Sequence, residues 1–532
     1  MVQGLGPQRP SRAPVARPVQ TVGMSNDAGL TAARLVVRTE DRRVRASSEL
    51  VASRRGELGQ FFTPAPIAAL LASMFDPCSG ETRLLDAGAG VGSLTAATIS
   101  RAATEGWSAQ FDATALEVDE DVVPLLKETL AECGSVMPGF KAEELATDFI
   151  EWGCDQLGHG LFDEESARFE LAILNPPYRK LNSGSRERRL LSKVGIETTN
   201  LYAAFVALSL RMLVAGGQLV AITPRSFCNG PYFKAFRREL FQNAALRRIH
   251  VFEARDKAFR DAEVLQENVV IHLVKGAAQG DVAIASSTGG GEDPVRERAV
   301  AFSTVVFPDD ANAFVHVVTD EADTTVPTRI NSLADTLVQL EVTASTGRVV
   351  DFRAREHLRQ DPGPDTVPLL YPMHLRGGRV QWPASRSRKP NAIVACDATR
   401  PLLLPNGNYV LVKRFSAKEE RRRIVATVLQ ADDLPSEVVA IENHVNVFHR
   451  RNAGLPLDLA WGIAAYLNST IVDVFFRQFN GHTQVNATDL RSLRYPSTDQ
   501  VVALGAAAQA APHDQNSIDT LVDEHVPELV GL

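Results

Sequence analysis

The chain has 532 residues, 45% hydrophobic and 23% charged, which supplies core material for two or three folded units of ordinary globular composition. Its formal net charge of -8 excludes a surface coated in positive charge, so any nucleic-acid contact must come from a local basic patch. Five cysteines, at 78, 133, 154, 228 and 396, form no CxxC pair, and the eleven histidines are scattered, so neither a metal site nor a disulfide framework is expected and a reducing cytoplasm suits the thiols.

Residues 1–26 are rich in Pro, Arg and Gln and have no apolar core region, which predicts a disordered tail and not a secretory signal, with Met24 a second candidate start. There is no run of eighteen apolar residues, so no membrane span is predicted. A helical pattern follows from about Asp27 to Glu57. Gly59-Gln60-Phe61-Phe62-Thr63-Pro64 reads as a turn, and Pro66 opens a helix to Phe75. From Gly80 the chain alternates strand and helix. Strands are predicted at Arg83–Ala87, Asp112–Glu117, Phe169–Asn175, Gln218–Thr223, Leu246–Phe252 and Val269–Lys275, with helices such as Ser93–Thr104, Glu120–Cys133, Leu201–Val214 and Tyr232–Phe241 between them. That alternation predicts an α/β, Rossmann-like parallel sheet covered on both faces, over residues 27–280. Short β-branched runs and turns then predict a mixed α+β unit over 281–500, in which Leu455–Arg477 is a helical hairpin or one long helix. Residues 501–532 read as a weakly helical tail.

Chemistry-bearing residues cluster at the predicted strand ends. Leu84-Leu85-Asp86-Ala87-Gly88-Ala89-Gly90-Val91-Gly92-Ser93 runs from a strand through a glycine loop into a helix. Glycines permit positive φ and close approach of a ligand, and ligands of open α/β sheets lie beyond the carboxyl ends of the strands. The spacing is G-x-G-x-G, not the dinucleotide G-x-G-x-x-G. An acid before the loop suits a cation better than a pyrophosphate. S-adenosylmethionine, with an ammonium, a sulfonium and no phosphate, is therefore the expected cofactor. Glu117 at the next strand tip is placed to hold ribose hydroxyls, with Asp119 as the alternative. Asp148, in Thr147-Asp148-Phe149, is placed to accept from the adenine amino group.

Leu171-Ala172-Ile173-Leu174 ends in Asn175-Pro176-Pro177-Tyr178. An exocyclic amine conjugated to a ring is a poor nucleophile, and an acceptor on each N–H frees its lone pair. The Asn175 oxygen and the Pro176 carbonyl are the candidate acceptors, the prolines stiffen the backbone, and Tyr178 offers a face for a base. A cysteine nucleophile for ring-carbon methylation is not indicated: the one Pro-Cys pair, Pro77-Cys78, precedes the glycine loop.

Taken in this order, these segments resemble the amino-methyltransferases of bacterial restriction–modification systems, in the γ order of motifs found in the TaqI- and PstI-like modification enzymes. Gly59–Pro64 resembles that family's first cofactor motif. Phe259-Arg260-Asp261-Ala262-Glu263 resembles the segment that supplies a second aromatic wall to the base pocket. Ser345–Arg353 and Thr483–Leu490 resemble C-terminal segments of the PstI-like branch. The resemblance implies cofactor contacts from Phe62, Thr63, Pro64, Asp86, Gly88, Gly90, Glu117 and Asp148. It also implies that Asn175, Pro176, Pro177 and Tyr178 handle the target base, with Phe259 beside them. It departs at Ala87, where the family often has proline. A motif opening with Asn fits N6 of adenine better than N4 of cytosine. Adenine in RNA, a protein glutamine, or DNA binding without catalysis are the alternatives.

Double-stranded DNA is the expected partner. Leu370–Arg423 holds twelve Lys/Arg against three Asp/Glu. Arg376, Arg379, Arg386, Arg388 and Lys389 lie there among Tyr371, His374 and Trp382, a mixture suited to phosphate and base-edge contacts. Arg179–Lys193 is a second basic stretch. No domain-sized segment is left over for a nuclease, so a cognate restriction endonuclease is expected as a separate chain.

Overall fold

The computed structural model describes residues 26–49, 62–158, 168–252, 267–287, 295–318, 325–385, 388–416, 420–480 and 484–530. Phe259 and Arg386, and the expectations attached to them, lie outside these residues, as do the N-terminal tail and Gly59–Phe61.

The first half is a nine-stranded sheet in the order β3-β2-β1-β4-β5-β7-β6-β8-β9. Its strands are β1 (Gly80–Ala87), β2 (Ala109–Leu116), β3 (Lys141–Leu145), β4 (Phe169–Leu174), β5 (Leu213–Pro224), β6 (Ala244–Phe252), β7 (Asn268–Lys275), β8 (Val282–Ser287) and β9 (Arg296–Val300). β1 to β5 are parallel, and β7 inserts antiparallel between β5 and β6. The central strands are apolar on both faces because helices cover both. Leu84, Leu171, Ile173, Val220 and Ile222 pack on one side against α1 (Asn26–Glu49), α2 (Ala65–Ser73) and α3 (Ser93–Glu105). α4 (Val123–Val136) packs alongside α1 and α3. The alternate residues Leu85, Ala172, Leu174, Leu219 and Ala221 face α5 (Phe149–Gly158) and α7 (Leu201–Met212), with the short α6 (Arg186–Lys193) and then α8 (Lys234–Asn243) on that side. α7 is buried almost all round, as its apolar, unpatterned sequence requires.

Two expectations about boundaries are corrected. The sheet does not stop near residue 280: β8 pairs in parallel with β6 from Arg248↔Ala283 to Phe252↔Ser287, and β9 closes the edge. The sequence of Arg296–Val300 is polar and charged because an edge strand has little to bury. Nor is 501–532 a tail. α12 (Thr498–Ala508) and α13 (Gln515–His525) complete a helical layer with α9 (Leu457–Leu467), α10 (Thr470–Phe479) and α11 (Ala487–Ser492), and Val501 and Leu504 are fully buried. Helix α12 looked weak in sequence because it packs through Gly and Ala: Gly462 of α9 and Gly505 of α12 bring the two backbones together. The Leu455–Arg477 stretch is two helices bent by 61°. At the break, Asn468 pairs its side-chain amide with both backbone groups of Ala426, at 3.0 and 2.8 Å. Among the described residues, no single helix is long and apolar enough to cross a membrane.

This helical layer covers one face of a six-stranded sheet, and the other face of that sheet packs against a five-stranded one. It meets the first half through buried arginines. Arg225, just after β5, donates to the carbonyls of Arg477 and Gln478 at 3.0 and 2.9 Å and pairs with buried Glu267 at 3.5 Å. Arg237 on α8 is wholly buried, donates to the carbonyls of Phe227, Gly230 and Asn312, and lies 5.0 Å over the Phe314 ring. Burial lowers its pKa to about 10, which still leaves it charged at neutral pH.

A pair of glycine substitutions tests the close packing. A Cβ on Gly505 would lie 1.7 Å from the Asp458 carbonyl oxygen, whereas exposed Gly134 on α4 has nothing within 4 Å. Gly505→Ala should lower the melting temperature, by an overpacking cost of about 1–3 kcal/mol or more. Gly134→Ala should raise it, by up to about 1 kcal/mol. Equal effects from the two would contradict the packing described.

Candidate active site

The register of three strands brings the predicted residues together. Asp86 on β1 lies opposite Ala115 on β2 and Ile173 on β4, so all three strands end at one edge. Beyond that edge the amides of Gly88 and Ala89 donate to the Leu116 carbonyl at 2.9 and 2.8 Å, which ties the glycine loop to the tip of β2. Gly88, Gly90 and Gly92 have φ of 74°, 56° and 84°, a region that strains other residues. A Cβ on Gly90 would also lie 2.9 Å from the Phe62 ring.

A cavity of about 240 Å³ opens at this edge. Of the expected residues, Phe62, Thr63, Gly88, Gly90, Glu117, Asp148, Asn175 and Pro177 line it. Glu117 is buried, and its two oxygens accept from the amides of Gly90 at 2.9 Å and Asp119 at 2.8 Å. Burial raises its pKa. Asp148 is exposed and uses Oδ1 to accept from Glu151 N at 2.9 Å, capping α5. Asn175 donates from Nδ2 to Thr63 Oγ1 at 2.9 Å. Phe149 and Phe205, with ring centroids 4.7 Å apart, form an apolar wall, and Arg179 stands on the lining with its guanidinium paired to Glu187 at 3.0 Å. Phe205 had no signal in the sequence: it is one apolar residue in a helix that is apolar throughout.

Asp86, Pro64, Pro176 and Tyr178 do not line the cavity. Asp86 lies beneath the loop, fully buried, and its Oδ2 accepts from Thr95 N at 3.2 Å and Thr95 Oγ1 at 2.7 Å. It thus anchors the start of α3, and its Oδ1 has no hydrogen-bond partner among the described residues. Burial pushes its pKa up to about 7. The Tyr178 ring packs edge-on against Tyr202, 6.1 Å away, with its hydroxyl buried and unpartnered among the described residues. Burial pushes that phenol above its ordinary range. Pro64 precedes α2, whose first amide, Ala65 N, donates to Glu40 Oε2 at 2.9 Å.

The donor set fits S-adenosylmethionine. A glycine cradle that a Cβ would fill, two acids at strand tips and an aromatic wall suit a cationic, hydroxylated, planar ligand, and the one arginine on the lining among the described residues already has a carboxylate partner.

In the C-terminal half, Arg376, Arg379 and Arg388 are exposed. Arg379 lies 5.9 Å over the Trp461 ring. Lys389 is committed inside the chain, 2.5 Å from Asp351 and 5.4 Å over Tyr371. Tyr371 and His374 are buried and Trp382 is half-buried with its indole N–H on the Asn391 carbonyl, so these rings hold the local fold and do not form an open reading surface. Gln484–Leu490 is likewise internal: buried Asp489 accepts from Asn480 and Asn486, and burial raises its pKa to about 6.

The strand order and the cavity at the carboxyl edge are those of a class I S-adenosylmethionine-dependent methyltransferase. Residues 97–259 match the Eco57I restriction-modification methylase family. The chain is 46% identical to the type II methyltransferase M.BsuBI of Bacillus subtilis over 85% of its length and 90% of that protein. It is 42% identical to the type II methyltransferase M.PstI of Providencia stuartii over 90% of its length and 95% of that protein. The chain therefore belongs to the type II methyltransferases of restriction–modification systems. Its fold also matches the type IIL restriction-modification enzyme MmeI, solved in complex with DNA, with a TM-score of 0.52 at 12% identity, covering 96% of this chain and 76% of that one.

Asp86 gives the cofactor-free protein a pH signature. Its folded pKa of about 7 lies above the ordinary 3.8, so between these values the folded chain keeps a proton that the unfolded chain releases. Stability attributable to Asp86 therefore falls as pH rises from about 4 to about 7 and levels off above. Asp86→Asn keeps an acceptor for Thr95 and removes the titration. In urea denaturation its stability relative to wild type should climb across that window and flatten beyond it. A difference independent of pH would contradict the assignment.

Proposed function

We propose that the chain transfers a methyl group from S-adenosylmethionine to N6 of an adenine flipped out of double-stranded DNA, as the modification component of a restriction–modification system whose endonuclease is a separate chain. The observation that carries this reading is that Asn175-Pro176-Pro177-Tyr178 leaves β4 beside the cavity that the glycine loop and the acidic tips enclose.

Glu117, Asp148 and the backbone of Gly88 and Gly90 would hold the cofactor, and Asp86 would act from beneath by fixing the loop. Bound there, S-adenosylmethionine supplies an electrophilic methyl on its sulfonium. Asn175 Oδ1 and the Pro176 carbonyl each accept one hydrogen of the target amine. As nitrogen turns tetrahedral and gains positive charge, both acceptors bind it better than the planar amine, which lowers the barrier. Proline at both 176 and 177 stiffens the turn that carries the acceptors. No covalent intermediate with the protein is required. Flipping costs a few kcal/mol of stacking, and Tyr178 with Phe259 would recover part of it as the two walls of the base pocket. Tyr178, whose buried hydroxyl has no partner among the described residues, would turn its ring toward the base.

Two measurements test this. Asn175→Ala should lower kcat on duplex DNA by roughly a hundredfold or more, the scale of losing a charge-stabilising contact, while the cofactor dissociation constant stays near wild type. Near-normal turnover would sink the mechanism. For DNA binding, replacing Arg376, Arg379 and Arg388 with alanine should reduce the magnitude of the log–log salt slope by up to about three, roughly one per lost phosphate contact. Lys389→Ala should change the slope less, because Asp351 already neutralises it. An unchanged slope in the triple variant would make this face a merely solvated one.

A further inference from the structure

We infer that Thr63 is a positioning residue of the transfer step, acting on the amide of Asn175 in addition to the cofactor contact expected of it. This deepens the catalytic reading of Asn175 given above and rests on it.

An asparagine side chain ends in two chemically opposite groups, and the torsion that decides which one faces a substrate is only weakly restrained by the side chain itself. The sheet fixes the backbone at Leu174, the last residue of β4, but not the rotation of the next amide. One restraint in this fold comes from 112 residues away in sequence: Asn175 Nδ2 donates to Thr63 Oγ1 at 2.9 Å. A threonine hydroxyl could satisfy either end of an amide. The orientation adopted spends the nitrogen on Thr63 and keeps Oδ1, the atom that must accept a hydrogen from the target amine, off that hydroxyl.

Thr63 is itself held on several sides. It is 6% exposed. Pro64 follows it with φ of -62°, which confines the backbone of the preceding residue to extended conformations. Ala65 N is tied to Glu40 on α1, and Glu40 is paired with Arg43 at 2.7 Å. On the other side Phe62 lies against the Gly90 loop at a distance that excludes a Cβ. A rigid hydroxyl thus meets a rotatable amide and limits its torsion. Because Thr63 and Asn175 both line the cavity, the bond also fixes the acceptor relative to the cofactor loop.

The test compares Thr63→Val, which keeps the shape and removes the hydroxyl, with Thr63→Ser, which keeps the hydroxyl. Turnover at saturating cofactor and DNA, the equilibrium dissociation constant for S-adenosylmethionine and the melting temperature are measured for both, with Asn175→Ala alongside. At saturating cofactor Thr63→Val is expected to lose about tenfold or more in kcat, the scale of a misplaced reacting group, with a melting temperature near wild type. Thr63→Ser should restore most of the rate. Thr63→Ala repeats the deletion with a smaller side chain and should behave as Thr63→Val does, which covers the case of a poorly folding valine variant. Full turnover in Thr63→Val and Thr63→Ala, or weakened cofactor binding with kcat retained, would overturn the inference. If Asn175→Ala were itself active, the catalytic reading would fail. An inactive Asn175→Ala beside a fully active Thr63→Val would remove only the role given to Thr63.

Discussion

The pairing of β1 with β2 on one side and β4 on the other is the constraint from which the site follows. Parallel strands in register end at a common edge, so an acid before a glycine loop, an acid after the next strand and an Asn-Pro-Pro-Tyr turn become neighbours although they are tens of residues apart in sequence. The loop cannot drift from that edge. The Gly88 and Ala89 amides are spent on Leu116, the Gly90 amide on Glu117, and the start of α3 is spent on Asp86. Much of the acidic chemistry therefore serves first to build a rigid rim, and the rim presents what remains to a ligand. Holding carboxylates in this way is costly, as the raised pKa values of Asp86 and Glu117 record. Rigid placement of acceptors is what a reaction governed by positioning requires.

The C-terminal half is not an independent attachment. Arg225 follows β5 directly and reaches the carbonyls at the end of α10, while Val317 N donates to Gln478 O at 2.8 Å. Burying a guanidinium is tolerable only where its donors find acceptors, and backbone carbonyls at a helix end are such acceptors. The carboxyl end of β5 and the helical layer are thereby held in one orientation.

What the sequence made legible follows from physical scale. The parallel strands were readable because runs such as Leu171–Leu174 must be buried on both faces, and the strand ends because glycines and prolines punctuate them. The candidate site was readable to the level of which residues converge: Glu117, Asp148, Asn175 and the Phe62–Thr63 segment all reach one cavity. Their roles within it were less so. Asp86 looked like a ligand contact because it precedes a glycine loop, but the fold buries it beneath the loop and gives its Oδ2 to Thr95. Lys389 counted as free positive charge until the fold brought Asp351 to it from 38 residues away. Charge excess along the chain does not reveal such pairing. Helix α12 read only as part of a weakly helical tail because its contribution is the absence of side chains at Gly505, which has no signature in hydrophobic periodicity.

The account as a whole turns on which nitrogen receives the methyl group. Duplex DNA incubated with the protein and isotopically labelled S-adenosylmethionine, digested to nucleosides and resolved by mass spectrometry, addresses that directly. The label should appear in N6-methyladenine. Label in N4-methylcytosine with none in N6-methyladenine would contradict the account of how Asn175 and the turn that follows it select their substrate.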